Sequence, residues 1–512
     1  MTRVLVVGDI GQPVYHVGDE AMTISTAEYL ADAGMQVILA TRDAEQSKRY
    51  LEAEDSSAYE YMPFLLFPWA PAEREITLER LEEFLVGGVM PNLPDFCPSA
   101  QLIRDFVEGI QSVDAVVISG GGNLNSRYGW LLYERAAIAL LAQYAKIPVF
   151  VSGQSIGPVL SPRDEEVLLR MLRSASSVAV RERSSYEWCR EHDLKALAGV
   201  DDASDYRVHT PEITLDYADA RVEVPELPER YVCVTVHEVS GSKVHELAAL
   251  LDKIYSEYGL AAVFLGHMGD PASEGGRTGD YKAHELVAAS MKSPATVIPI
   301  LHADATVRIH QGAALNITDR YHPAVFSLSA GIPAVALVPD AFTEMRICGV
   351  MGHYGMQNFM TPLHMLGTDI PEKLIVSALS LSRGQRQELR ARHEVVTALL
   401  QAWREYLAAS VRGERQAHMP EGISVAAAVP ALEPSLEAIN NAVRELLLKT
   451  SLAEGTEWAL SDRMHSWEAH MRGEFERAED ELQALKRSRM VRAAHRTSRQ
   501  VQAMRHIGSR FR

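Results

Sequence analysis

Nine short runs of Val, Ile, Leu and Ala recur along the chain, at 4–7, 37–40, 115–119, 148–152, 178–180, 232–236, 261–265, 315–318 and 334–338, with helix-patterned stretches between them. A strand that is apolar at nearly every position must be covered on both faces, and parallel sheets flanked by helices provide that cover. The sequence therefore predicts an α/β protein of the doubly wound, Rossmann-like kind. Its 512 residues, 47% of them hydrophobic, exceed what one core holds. The alternation restarts near Tyr231, after the Pro- and acid-rich "ARVEVPELPERY" (220–231). Two such domains are expected, over 1–219 and 231–385, joined by a linker. Residues 44–98, with "FLLFPWAP" and "EITLERLEEFL", read as an insertion in the first domain near the cleft.

Beyond the second domain the sequence predicts a helix over 386–412, a loose connector over 413–435 and a helical tail over 436–512. In the tail, Leu460, Met464, Trp467, Met471, Phe475, Ala478, Leu482 and Leu485 recur every three or four residues, one apolar stripe along a helix. Such a stripe packs on its own domain or on a second subunit, giving a homo-oligomer. Residues 486–512 hold nine Lys or Arg and no acid, so the alternative expectation is that the basic end sits on an anionic membrane surface. The whole chain carries a formal charge of −18, and this acidic body argues against nucleic acid as a partner. Cys97, Cys189, Cys233 and Cys348 are widely separated, which suggests neither a disulfide framework nor a zinc knuckle. With no leader-like or membrane-spanning run, the expected location is the cytoplasm, at most at the inner face of the membrane.

Three glycine-rich segments close first-domain strands, where an open parallel sheet collects its ligands. "LVVGDIGQPVYHVGDEAM" (5–22) places Asp19 and Glu20 at a helix start, where the dipole favours carboxylates; Asp19 is a candidate acid-base group or a helix cap. "VVISGGGNLN" (116–125) offers Gly121 and Gly122 for close backbone approach and Asn123 for a hydroxyl or phosphate oxygen. "VFVSGQSIGPV" (149–159) presents Gln154 and Ser155. None of them is G-x-G-x-x-G or a P-loop, so dinucleotide and nucleoside triphosphate binding lack their usual signature. "SSVAVRERSS" ends a strand in Arg181, a guanidinium suited to carboxylate or phosphate, or else an ordinary ion pair with Glu182. His237 ends the first strand of the second domain and is read as touching phosphate or acceptor, or as structural.

"NITDRYHPAVFSLSAGIPAVALV" (316–338) is the most specific stretch. Strand Leu315–Thr318 ends, His322 is expected to cap a short helix opened by Pro323, Gly331 stops that helix, and Ala334–Val338 forms the next strand. Arg320 and His322 then stand at the mouth of the second domain. The imidazole can move a proton and the guanidinium can clamp an anion.

Taken together, "GDIG…HVGDEA", "ISGGGNLN", "GQSIGP", "VAVRERSS" and "RYHPAVFSLSAGIP" resemble the polysaccharide pyruvyl transferase family over roughly residues 1–385. The resemblance implies two Rossmann-like domains in a glycosyltransferase-B-like arrangement with phosphoenolpyruvate between them. It implies transfer of the enolpyruvyl group to two hydroxyls of a sugar in a cell-surface glycan or its lipid-linked precursor, forming a ketal and releasing phosphate. It places the family's arginine and histidine on Arg320 and His322 and a further arginine on Arg181. Tyr321, His16 and Ser155 stand where leucine, asparagine and glycine are common in the family. On this reading Arg320 and Arg181 take carboxylate and phosphate, His322 performs acid-base work, and Asp19 accepts a hydroxyl proton. No cofactor is expected, and no metal, since no ligand spacing for one is present. Two other classes fit the same architecture: a glycosyltransferase using a nucleotide sugar, with Glu344 reading the ribose, and a non-catalytic scaffold.

Overall fold

A computed structural model of the chain describes residues 1–51, 59–209, 215–217, 220–222, 225–237, 239–270, 276–414, 417–424, 426, 428 and 432–487. The basic end from 488 onward lies outside the described residues, as do parts of the expected linker and connector.

Both lobes are built on parallel sheets. In the first, strands Tyr59–Pro63, Gln36–Thr41, Arg3–Ile10, Ala115–Ile118, Val149–Ile156, Ser177–Val180 and Leu197–Ala198 lie side by side in that order. The second orders Ala295–Ile298, Ala261–Leu265, Tyr231–Thr235, Leu315–Thr318, Ala334–Val338 and Met360–Pro362. Counted along the chain, each begins 3-2-1-4-5-6, so the order reverses beside the first strand, where such sheets open a crevice. The apolar runs behave as their composition requires: Val4 to Val7 and Val335 to Val338 are all 0% exposed. Four edge strands, Tyr59–Pro63, Leu197–Ala198, Ala295–Ile298 and Met360–Pro362, escape the sequence reading because they are short and paired on one side only. The first of them corrects the expected insertion. Residues 59–63 belong to the sheet itself, pairing with 37–41, and the interruption begins after them with helix Pro71–Gly87.

The lobes meet through backbone as well as side chains. Tyr15–His16 pairs antiparallel with Met268–Gly269, and the Val17 N–H donates to the His267 carbonyl at 3.1 Å. Val17, Ala21 and Met22 of the first lobe share a core with Val234, Ile317 and Phe326 of the second. Helix Arg383–Val411 opens on a capping box at Ser382 and Gln385 and returns to the first lobe. There Trp403 donates to Ser152 Oγ at 2.8 Å, and Leu407, Ala408 and Val411 pack with Val4 and Val6.

The expected loose connector is pinned where it is described. Ile423 N–H donates to the Ala198 carbonyl at 2.8 Å, Ala426 N–H to the Gly352 carbonyl at 2.9 Å, and Leu432 is buried. From it rises the tail helix, Pro434–Arg487, 54 residues long. Its first part is fixed to the second lobe: Asn440 Nδ2 donates to the Met360 carbonyl at 2.7 Å and Arg444 pairs with Glu344. Further on it reaches the first lobe, where Arg463 grips the buried Glu75 carboxylate at 2.8 and 3.0 Å and Trp467 Nε1 donates to it at 3.1 Å. The helix therefore holds on by polar side chains rather than by its apolar stripe. Leu460, Met464, Met471, Phe475 and Leu482 remain at least half exposed. Glu75→Gln removes the charge that holds this junction. It is expected to speed amide exchange over 460–470 severalfold and to lower stability by about 1–3 kcal/mol; hydrogen-exchange mass spectrometry and thermal melting read the two effects. Among the described residues no helix is long and apolar enough to cross a membrane.

Candidate active site

A cleft of about 1560 Å³ opens between the lobes. The second lobe supplies Arg320 and His322. The strand Leu315–Thr318 ends against the first strand of its sheet, and helix Tyr321–Ser329 starts at once, with Arg320 rather than His322 as its N-cap. The sequence suggested otherwise because Pro323 favours the first helical position; here it sits in the third, equally free of an intrahelical N–H bond. Placed inside the first turn, the imidazole leans over the first lobe. A Cβ on Gly18 would lie 1.8 Å from His322 Nδ1, so this glycine exists to admit the ring. Among the described residues His322 Nε2 has no hydrogen-bond partner; it stands 3.9 Å from Asp201 Oδ2. Burial, only partly opposed by Asp201, holds its pKa down to about 3, so the ring is neutral in the empty cleft.

Arg320 is bonded to Asp280, and its Nε has no hydrogen-bond partner among the described residues. Burial alone would raise the Asp280 carboxyl, but Arg320 and His284 hold it below the usual range. Arg181 is 1% exposed and already satisfied. It donates to Asp201 Oδ2 at 2.6 Å and Ser155 Oγ at 2.8 Å, and lies 4.1 Å from the Tyr321 ring centre. Asp19 lines the cleft beside His16, whose Nδ1 is 3.7 Å from Asp19 Oδ2. Burial raises the Asp19 carboxyl against the pull of His16. The three departures from the family pattern, Tyr321, Ser155 and His16, thus each touch a candidate site residue. His237 also lines the cleft, with Nδ1 2.9 Å from Asp319 Oδ1.

Gly121, Gly122 and Asn123 lie in a short strand, Gly121–Leu124, rather than in a turn that opens a helix. A Cβ on Gly122 would sit 3.0 Å from Arg346 Nη1 and 3.3 Å from Arg181 Nη2, so the glycine is small to let two guanidiniums converge. Asn123 lines the cleft and reaches toward Asp9 Oδ2 at 3.5 Å. Gln154 and Ser155, expected to face the cleft, do not. Gly153, at φ 54°, breaks the register of this strand, and a bulge reverses which side chains face which way. Gln154 Nε2 turns inward to the Ser119 carbonyl, and Ser155 donates to Glu182 at 2.9 Å while supporting Arg181.

The sequence reading missed Arg346. It lies in helix Ala341–His353, with its guanidinium 3.7 Å from the Phe342 ring centre, and no carboxylate forms an ion pair with it among the described residues. Burial and then Arg181 bring its pKa down to about 10, against Tyr128, leaving it charged at neutral pH. His267 was missed too. His310 Nδ1 lies 2.6 Å from Asn316 Oδ1, which only accepts, so His310 Nε2 carries the lone pair and His267 Nε2, 2.6 Å away, must donate. Burial, then His310, keeps His267 well below the usual histidine range. Glu344, the carboxylate considered for a ribose, is instead buried against Arg444.

Two Rossmann-like lobes facing a cleft, tied by a helix that returns to the first lobe, make this a scaffold of the glycosyltransferase-B-like class. The polysaccharide pyruvyl transferase family model matches residues 16–340, and the chain belongs to that family. The amylovoran biosynthesis protein AmsJ of Erwinia amylovora is 25% identical over 288 residues, which are 52% of this chain and 65% of AmsJ. The chain thus spans less than two thirds of that relative. Among solved structures, the S. aureus MnaA–UDP complex aligns with 83% of this chain and 100% of its own at 12% identity and a TM-score of 0.49. A putative UDP-N-acetylglucosamine 2-epimerase from Listeria monocytogenes covers 83% and 99% at 12% identity and 0.47.

Proposed function

We propose that the protein is a pyruvyl transferase that moves the enolpyruvyl group of phosphoenolpyruvate onto two hydroxyls of a sugar, within polysaccharide biosynthesis. Arg346 is the observation that carries this reading. A guanidinium largely withdrawn from water, with Asp340 and Glu182 near but no direct ion pair among the described residues, is expensive to keep, and a bound anion relieves that expense. With Arg320 at the opposite wall and Arg181 behind Gly122, the cleft suits a small, multiply charged donor.

The neutral His322 fits a shuttle. It relays the proton of the first hydroxyl to the methylene carbon, which becomes the methyl group, and as that C–H bond forms C2 turns electrophilic and takes the hydroxyl oxygen. The C2–O bond to phosphate breaks with its electron pair on the phosphate. The second hydroxyl oxygen closes the ketal and its proton, taken by Asp19, leaves with the phosphate. Guanidiniums fixed beforehand around the phosphate and carboxylate stabilise charge without reorganising.

The test is acceptor-dependent phosphate release from phosphoenolpyruvate, with galactosides and mannosides as diol acceptors. Absence of both release and calorimetric binding of phosphoenolpyruvate, with turnover of a nucleotide sugar instead, would reverse the reading. Gly18→Ala adds a methyl group into the His322 ring, and the helix backbone leaves the imidazole to give way. Turnover should fall about 100-fold, as a displacement near 1 Å suffices for, with a stability loss of about 1–3 kcal/mol by thermal melting.

A further inference from the structure

From the anion pocket outward, the cleft wall is a run of aromatic rings. Arg346 lies against Phe342; Phe342 meets Tyr128 at 5.6 Å; Tyr128 meets Trp130 edge-on at 5.7 Å; and Trp130 stacks on Trp69 at 4.0 Å and 8°. Trp69, in the insertion, is 72% exposed although a ring of that size is normally covered. It is also fixed: its carbonyl accepts from Arg74 at 2.9 Å and one face of its ring is taken by Trp130. Across the cleft stands the tail helix, whose polar contribution to the lining includes Asp462, Ser466, Glu476, Arg477 and Asp480. The three carboxylates have no ion-pair partner among the described residues.

The cleft is therefore polarised. Its inner end gathers the guanidiniums of Arg181, Arg320 and Arg346, while its outer end joins flat apolar rings to carboxylates and a hydroxyl. The outer guanidiniums are already paired, Arg477 with Glu474, Arg127 with Asp340 and Arg74 with Asp164, so this end is a poor site for a phosphate. An uncharged sugar fits it, because a pyranose has an apolar C–H face for a ring and hydroxyls that donate to carboxylates. We propose that the outer cleft, between the Trp69–Trp130 stack and the tail helix, binds an uncharged oligosaccharide segment that continues from the sugar modified at His322. This rests on the pyruvyl transfer reading and specifies its acceptor: a chain of at least two sugar units, not a free monosaccharide or a nucleotide sugar.

Galactotriose, cellotriose and mannotriose, each beside its monosaccharide, are titrated into the full chain and followed by saturation-transfer NMR. At least one trisaccharide should bind about tenfold more tightly than its monosaccharide, the scale of one good ring stack. Trp69→Ala should erase that gain and Trp69→Phe should keep most of it. Because the side chain is exposed, both variants should melt like the parent. If no trisaccharide outbinds its monosaccharide, or if Trp69→Ala binds like the parent, the inference is overturned. Phosphoenolpyruvate binding, measured on the same samples, separates the two claims. Its loss in the parent defeats the donor assignment and leaves the sugar result standing, whereas intact donor binding without sugar binding defeats the outer subsite alone.

Discussion

His322→Gln should reduce turnover with phosphoenolpyruvate and a sugar acceptor by roughly 100- to 10,000-fold, the range of positioned proton transfer, with donor affinity changed only a few-fold. Glutamine keeps the bulk that fills the space over Gly18 and a polar atom near Asp201, but it cannot take up and return a proton. The expected split, kcat lost and donor binding kept, follows from placing the anion on guanidiniums instead of on the imidazole. Stopped phosphate release combined with calorimetry measures both. Equal losses in binding and turnover would make the imidazole a ligand and not a shuttle. Titration offers a second reading. Burial holds the free ring near pKa 3, so His322 should show no ionisation between about pH 5 and 8. An NMR titration of the free protein in which the resonance lost in His322→Gln titrates near 6.5 would contradict the burial that holds the ring neutral.

Arg346→Met should move stability and function in opposite directions. Removing the cation relieves a buried charge whose desolvation outweighs the pull of Tyr128, Asp340 and Glu182, while the methionine keeps contact with Phe342, so the melting temperature should rise. Phosphoenolpyruvate affinity should fall by roughly 10- to 150-fold, the loss of about 1.5–3 kcal/mol from a hydrogen bond to a charged group. Differential scanning fluorimetry with and without the donor reads both signs in one experiment: the variant melts higher when empty and gains little from ligand. A variant that melts lower and binds the donor normally would make Arg346 a structural cation.

These residues were unequally legible in the sequence. Arg320 and His322 could be found because one contiguous stretch carries strand, helix start and glycine stop, and local chemistry fixed all but the cap position. Arg346 sits within "AFTEMRICGV", where a mid-helix arginine reads as a solvated face. Its role depends on Gly122, more than 200 positions away in the chain. Gln154 and Ser155 were given the wrong face because one positive-φ glycine shifts the strand's alternation, and composition does not reveal a bulge. Trp69 and Trp130 come from separate segments, so their stacking is a property of the packed lobes alone.

The tail helix sets how the two lobes can part. At 1.5 Å per residue its 54 residues form a rod about 80 Å long. The rod is anchored on the second lobe at Asn440 and Arg444 and on the first at Arg463 and Trp467. A clamshell swing would have to bend or detach it. Lobes braced in this way resist gaping, and shortening the rod beyond Arg444 is expected to free the two lobes to part.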